Sequence, residues 1–416
     1  MTTILHGNIL HAPRFGELAA IPKGYLVAED GAIRYVGEAL PVQYRGLPVE
    51  DWGDRLILPS FADLHLHAPQ YVMLGMGMDL PLLDWLNTYT FRTEARFADQ
   101  EFARKAYRQL ARELIAWGTT RVVMFSSIHT EATWILMEEL EAAGVTGYVG
   151  KVNMDRNGGP GYQETCEESL RETERWLDGC SFAHIKPILT PRFTPSCSDE
   201  LMAGLGKLAR ERNLLVQSHL SENRGEIAWV KELCPDCGRY WETYDKFGLW
   251  KDRTAMAHCV HSDQAEQEAM ARAGVVAVHC AASNVNLCSG TAPVRELIDR
   301  GVWVALGSDI AGGDKLSMAA NVVLTLRSSK VKSMETGVPF LTVPEAWYLG
   351  TTAGHKYFGG GEGFTVGDRL HAMVVDDGTL PPPARELSLQ ERLERSLYLM
   401  EKDHITAVYS DGRRVK

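Results

Sequence analysis

Residues 59–71 read Pro59-Ser60-Phe61-Ala62-Asp63-Leu64-His65-Leu66-His67-Ala68-Pro69-Gln70-Tyr71. The run over 56–65 is almost continuously apolar, as in a strand buried on both faces, and it closes on two histidines. Residues i and i+2 of a strand point to the same side, so His65 and His67 can turn their imidazoles on one point. By itself such a pair fits a structural role as well as an ion. The decision rests on whether other ligand-bearing residues stand at equivalent places.

They do, because the pattern repeats. Short apolar runs follow over 119–125, 145–152, 183–189, 214–219, 255–258, 275–279 and 302–307. Between them lie stretches with apolar residues at helical spacing, including 99–117, 198–212, 223–233 and 265–273. Eight strands alternating with helices predict an α/β fold, a (β/α)8 TIM-type barrel, whose functional residues gather at the C-terminal ends of the strands. His219 closes the fifth run, His258 the sixth and His279 the seventh, and Asp309 follows the eighth.

Three neutral imidazoles and a carboxylate suit a borderline-soft divalent ion with room left for water. His65, His67, His219 and Asp309 are the expected ligands, with zinc first and iron or manganese fitting the same set. Such an ion lowers the pKa of its water from about 15.7 toward neutrality, which points to hydrolysis. Glu222, three residues after His219, can move protons, or can simply be a first-turn helix residue favoured by the helix dipole. His258 can orient the attacking hydroxide, or be a core histidine satisfied by backbone. His279 carries less weight because the ligand set is already full.

Outside the barrel, runs over 4–9, 25–29, 32–36, 372–375 and 406–409 read as short strands, so the two chain ends are expected to join in one small β domain. The predicted division is 1–56 for its N-terminal part, 57–366 for the barrel and 367–416 for its C-terminal part. Gly359-Gly360-Gly361-Glu362-Gly363 lacks the Gly-Lys-Ser/Thr of a phosphate loop and reads as a turn, as does the 157–161 stretch. Cys234-Pro235-Asp236-Cys237 has no second half for a zinc knuckle, and reads as an incidental loop pair among free thiols. A net charge of -11 disfavours nucleic acid and leaves a small molecule as the default partner. No basic segment precedes an apolar core at the start, and no apolar run approaches the ~20 residues of a bilayer span, so a cytoplasmic protein without membrane contact is expected.

The chain resembles the amidohydrolase superfamily in its mononuclear deaminase branch. The resemblance is carried by residues 59–71, Asp79-Leu80-Pro81-Leu82-Leu83-Asp84-Trp85-Leu86, Gly150-Lys151-Val152-Asn153-Met154-Asp155 and Thr190-Pro191-Arg192-Phe193. It continues through 217–223, Ala257-His258-Cys259, Ser283-Asn284 and 307–313. The resemblance implies that His65, His67, His219 and Asp309 bind the metal, that Glu222 shuttles protons, and that His258 and Asp309 assist the attack. It further implies a purine base held by Gln70, Arg192 and Phe193 beside His67, His219, Glu222 and Asp309, guanine deaminated to xanthine, and a homodimer. Phe193 offers a ring to a flat base, and Arg192 offers donors that suit a carbonyl and oppose an amino group; a structural ion pair is the other role open to Arg192. Two positions depart from the family pattern: Ala281 stands where proline is common, and His371 where aspartate is usual. The alternatives are a related aminohydrolase acting on 8-oxoguanine, a pterin or an s-triazine, and a non-catalytic scaffold that kept the barrel.

Overall fold

The structure is a computed structural model and describes residues 2–159 and 161–416. Met1, and Pro160 within the 157–161 stretch, lie outside the described residues. In chain order, β1 (Thr2–His11), β2 (Ala19–Glu29), β3 (Ala32–Gly37) and β4 (Glu50–Pro59) come first. Then follow β5 (Phe61–His67), β6 (Thr119–Phe125), β7 (Thr146–Gly150), β8 (Val152–Asn153), β9 (Ile185–Pro187), β10 (Thr190–Pro191), β11 (Gln217–Leu220), β12 (Ala255–His258), β13 (Val276–His279) and β14 (Trp303–Leu306). The chain closes with β15 (Ala372–Val375), β16 (Ile405–Ser410) and β17 (Arg413–Arg414).

The expected barrel is present. β5, β6, β7 and β9 form one parallel sheet, and β11 to β14 another. A parallel bridge between Leu189 and Val216 joins them on one side. On the other, the Asp309 N–H donates to the His65 carbonyl at 2.8 Å and the His67 N–H to the Ile310 carbonyl at 3.1 Å. This second seam ties the histidine strand to the loop that carries Asp309. The short pair β8 and β10 prolongs the barrel wall toward Arg192 and Phe193. Helix bounds follow side-chain caps: Asp99 caps Gln100–Ala116, Ser198 caps Asp199–Glu211, Asn223 caps Arg224–Leu233 and Asp263 caps Gln264–Ala273.

Both chain ends build one sheet in the order β17-β16-β15-β4-β1-β2-β3, as expected. One boundary differs. The run over 56–65, expected as a single barrel strand, is two strands that hand over at Ser60. Residues 56–59 pair antiparallel with β15, Leu56 opposite Val375 and Pro59 opposite Ala372. Pro59 has no N–H to continue a ladder, and the Ser60 N–H donates to the His371 carbonyl at 3.2 Å. Both halves are buried, so hydropathy runs through the break without a mark. All eight cysteines are free; the Cys237 N–H donates to the Cys234 carbonyl in a turn after Arg224–Leu233. The glycine-rich stretch 359–363 follows the helix Thr352–Tyr357 as loop and turn.

Candidate active site

The candidate ligands, proton-moving groups and base-binding residues sit at the C-terminal mouth of the barrel or on a loop leaving it, whereas His371 lies at the other end, with its Nδ1 2.9 Å from the Thr120 hydroxyl near the start of β6. His65 and His67 end β5, His219 lies in β11, His258 ends β12, and Asp309 follows β14. All five are buried. Ser221, His258, Cys259 and Asp309 take left-handed backbones, with φ between 47° and 75°, which non-glycine residues rarely adopt. Ladder bonds hold them there: Asp309 donates to His65, Cys259 donates to Leu220 at 3.0 Å, and Gly313 donates to the Asp309 carbonyl at 2.7 Å.

The imidazoles converge. His67 Nε2 lies 3.2 Å from His219 Nε2, while Asp309 Oδ1 lies 3.2 Å from His65 Nε2 and 3.5 Å from His67 Nε2. His219 Nδ1 faces the Arg192 carbonyl at 2.5 Å, so that nitrogen holds the proton and Nε2 turns a lone pair inward. Burial, and then the neighbouring histidines, push His67 and His219 well below the ordinary imidazole range, so both are neutral. Burial opposes ionisation of Asp309, but His65, His258 and His67 outweigh it and hold the carboxyl well below its usual range. Neutral imidazole lone pairs crowded around a carboxylate are a donor set for a cation. Ligand atoms of His65, His67 and His219 lie within 4.8 Å of one another.

A second overlapping group, His65, His258, Cys280 and Asp309, meets the same distance. Cys280 escaped sequence reasoning. Burial first, then nearby carboxylates, push its thiol well above the usual range, so it is the poorer ligand. His279 is buried with neither ring nitrogen partnered, and burial, reinforced by His258, lowers it to about 4. It does not line the pocket described next.

That pocket is lined by His67, His219, Glu222, His258 and Asp309, by Gln70, Arg192 and Phe193, and by the apolar Leu82, Trp85, Leu86 and Leu287. Glu222 Oε2 lies 3.5 Å from His258 Nε2, and Oε1 accepts from the Ser289 hydroxyl at 3.2 Å. Burial and then the Asp309 charge push Glu222 up to about 8, only partly offset by Ser289, so it is protonated near neutrality. His258 Nδ1 faces Asn284 Oδ1 at 2.9 Å, and its Nε2 lies 3.7 Å from Asp309 Oδ2. Arg192 is in a bidentate pair with Glu94, at 2.6 and 3.0 Å, with Phe91 5.1 Å beneath its guanidinium. The structural ion pair and the pocket position are thus both true of Arg192. Glu94 was not found from the sequence; it lies in a helical segment whose pattern signals no chemistry. A roomier surface cleft, lined by Arg112, Glu141, His184 and Arg413 among others, adjoins the N-terminal ends of β7 and β9, away from all these groups.

The amidohydrolase family profile matches residues 56–415, and the chain belongs to that family. Among its relatives, guanine deaminase of Dictyostelium discoideum is 34% identical over 99% of this chain and 98% of its own length. Guanine deaminase of Mus musculus is 37% identical over 86% of this chain and 82% of its own. A crystal structure of guanine deaminase from C. acetobutylicum with guanine bound in its active site superposes with a TM-score of 0.97 at 42% identity, covering both chains fully.

Proposed function

We propose that the protein removes the 2-amino group of guanine by hydrolysis, giving xanthine and ammonia, with one divalent cation held by His65, His67, His219 and Asp309. The observation that carries this reading is that Gln70, Arg192 and Phe193 open onto the same pocket as the cation ligands, Glu222 and His258. The donor set fits zinc, and also iron or manganese. When bound, the ion lowers the pKa of a water toward neutrality and so supplies hydroxide without a strong base.

The chain's residues do the rest. Phe193, Trp85 and Leu86 exclude water and receive a flat base, while Gln70 and Arg192 meet its polar edge and present C2 to the ligand side. Asp309, ionised, accepts the proton of the attacking water. Glu222, protonated, donates to the ring nitrogen beside C2, so that negative charge does not build up on the ring. His258 lies between the two carboxylates and supports the tetrahedral carbon. Collapse breaks the C2–N bond: the proton held by Asp309 passes to the amino group, which leaves as ammonia, while the hydroxyl proton passes to Glu222 as the C2 carbonyl of xanthine forms, restoring both carboxyls.

The reading carries a homodimer, a cytoplasmic location and the division at 56/57 and 366/367, with β4 running on to Pro59. The family resemblance supports the homodimer; among the described residues, no helix is long and apolar enough to cross a membrane. The test is ammonia release by metal-loaded protein from guanine, adenine, 8-oxoguanine, a pterin, an s-triazine and cytosine. Guanine is expected to lead by at least about 100-fold in kcat/KM. A lead for any other compound, or no release from guanine, would overturn the reading.

A further inference from the structure

We propose that Glu94 is a positioning residue that sets the donor pattern of the pocket, and with it the preference for a carbonyl over an amino group on the edge that Gln70 and Arg192 meet. The inference rests on the guanine reading above. Glu94 is fully buried, in the helix Phe91–Ala95 between β5 and β6. Its carboxylate accepts Nη1 and Nη2 of Arg192, and also Nε2 of Gln70 at 2.8 Å.

These bonds remove a freedom that a glutamine ordinarily keeps. An amide can exchange its oxygen and nitrogen ends by rotating half a turn. Here the Gln70 oxygen accepts the Ala311 backbone N–H at 3.0 Å, and a backbone N–H can only donate. At the other end a carboxylate paired with a guanidinium can only accept. A rotated amide would set N–H against N–H and oxygen against carboxylate, losing two buried hydrogen bonds at once. Gln70 is therefore held with its oxygen engaged and an N–H left over, and Arg192 has only N–H groups to offer. The polar side of the pocket presents donors alone. Glu94 also balances the Arg192 charge, so that edge suits a neutral base and not an anion.

A donor-only edge satisfies a ring carbonyl and leaves an amino group facing N–H. Without Glu94 the Gln70 amide can turn its oxygen toward the base and accept such an amino group. The discrimination thus originates in a side chain that need not touch the substrate. Trp85 and Leu86, in the same β5–β6 segment, wall the pocket, and Phe91 supports Arg192, so one stretch of chain both encloses the base and orients its partners.

The test compares guanine with 2,6-diaminopurine, which keeps the reacting 2-amino group and replaces the ring carbonyl with an amine. In Glu94→Gln the ratio of kcat/KM for guanine over 2,6-diaminopurine is expected to fall about 10-fold or more, mainly through a raised KM for guanine, with metal content unchanged. Glu94→Asp keeps the charge but is one methylene shorter and cannot reach both partners. An intermediate ratio is expected for it, and it carries the test if Glu94→Gln does not fold. An unchanged ratio in a folded variant, or an equal loss on both substrates, would overturn the proposal. Failure of the unaltered protein to release ammonia from guanine would instead defeat the functional reading beneath it.

Discussion

At the scale of single residues, Glu222 is where burial and charge act in one direction. Both favour its protonated form up to about pH 8. A general acid works in that form, so kcat/KM should fall as pH rises through about 8, while Asp309 stays ionised across the neutral range. Glu222→Gln should retain the cation, lose about 10²–10⁴ in turnover and flatten that alkaline limb; a pH–rate profile with metal analysis checks it. Arg192→Ala carries a second expectation, because it strands Glu94 as a buried unpaired carboxylate at a cost of about 3–5 kcal/mol. The single variant should lose both guanine use and denaturant resistance. The double change Arg192→Met with Glu94→Leu should recover resistance in urea titrations without recovering guanine use. The clustered histidines were legible in the sequence because each stands at the end of an apolar run, and the barrel rule turns that position into a place in space. Glu94 was not, since its partner Arg192 lies 98 residues away and nothing local marks the pair.

At the scale of elements, the helix Arg224–Leu233 holds Glu222, the proposed acid, in place. Its third residue, Glu226, accepts the Glu222 N–H at 2.9 Å and the Asn223 N–H at 3.2 Å, and takes the Tyr240 hydroxyl at 2.6 Å. Glu226→Ala should cost about 1 kcal/mol through the lost capping box and lower kcat about 10-fold at unchanged metal content, measured by thermal unfolding and steady-state kinetics. A kcat equal to that of the unaltered protein would show that Glu222 does not depend on this helix. Helix starts were readable here: the runs at helical spacing begin at 99, 198 and 223, where Asp99, Ser198 and Asn223 cap the helices. The division of the 56–65 run at Ser60 was not, since both of its halves are buried apolar strands. The walls of the pocket over 82–98 were equally silent. Their short α, π and 3-10 turns have no sustained period, and tertiary contacts decide their form.

At the scale of the whole molecule, the terminal sheet is bound into the barrel. β15 lies between β4 and β16, the Thr352 hydroxyl donates to the Ala12 carbonyl at 2.6 Å, and the Lys416 ammonium donates to the Ala116 carbonyl at 3.1 Å. Deleting residues 405–416 should therefore uncover β15 and abolish the single cooperative unfolding transition, which calorimetry would show; an unchanged transition would mean that the sheet is an appendage. The central claim concerns one cation seated among His65, His67, His219 and Asp309 and a purine deaminated beside it. Its most direct test is to strip the protein with a chelator, titrate zinc back, and follow xanthine and ammonia formed from guanine. The account expects equal amounts of the two products and activity that rises linearly to a break at one ion per chain. Full activity in the stripped protein, or a break at two ions, would contradict it.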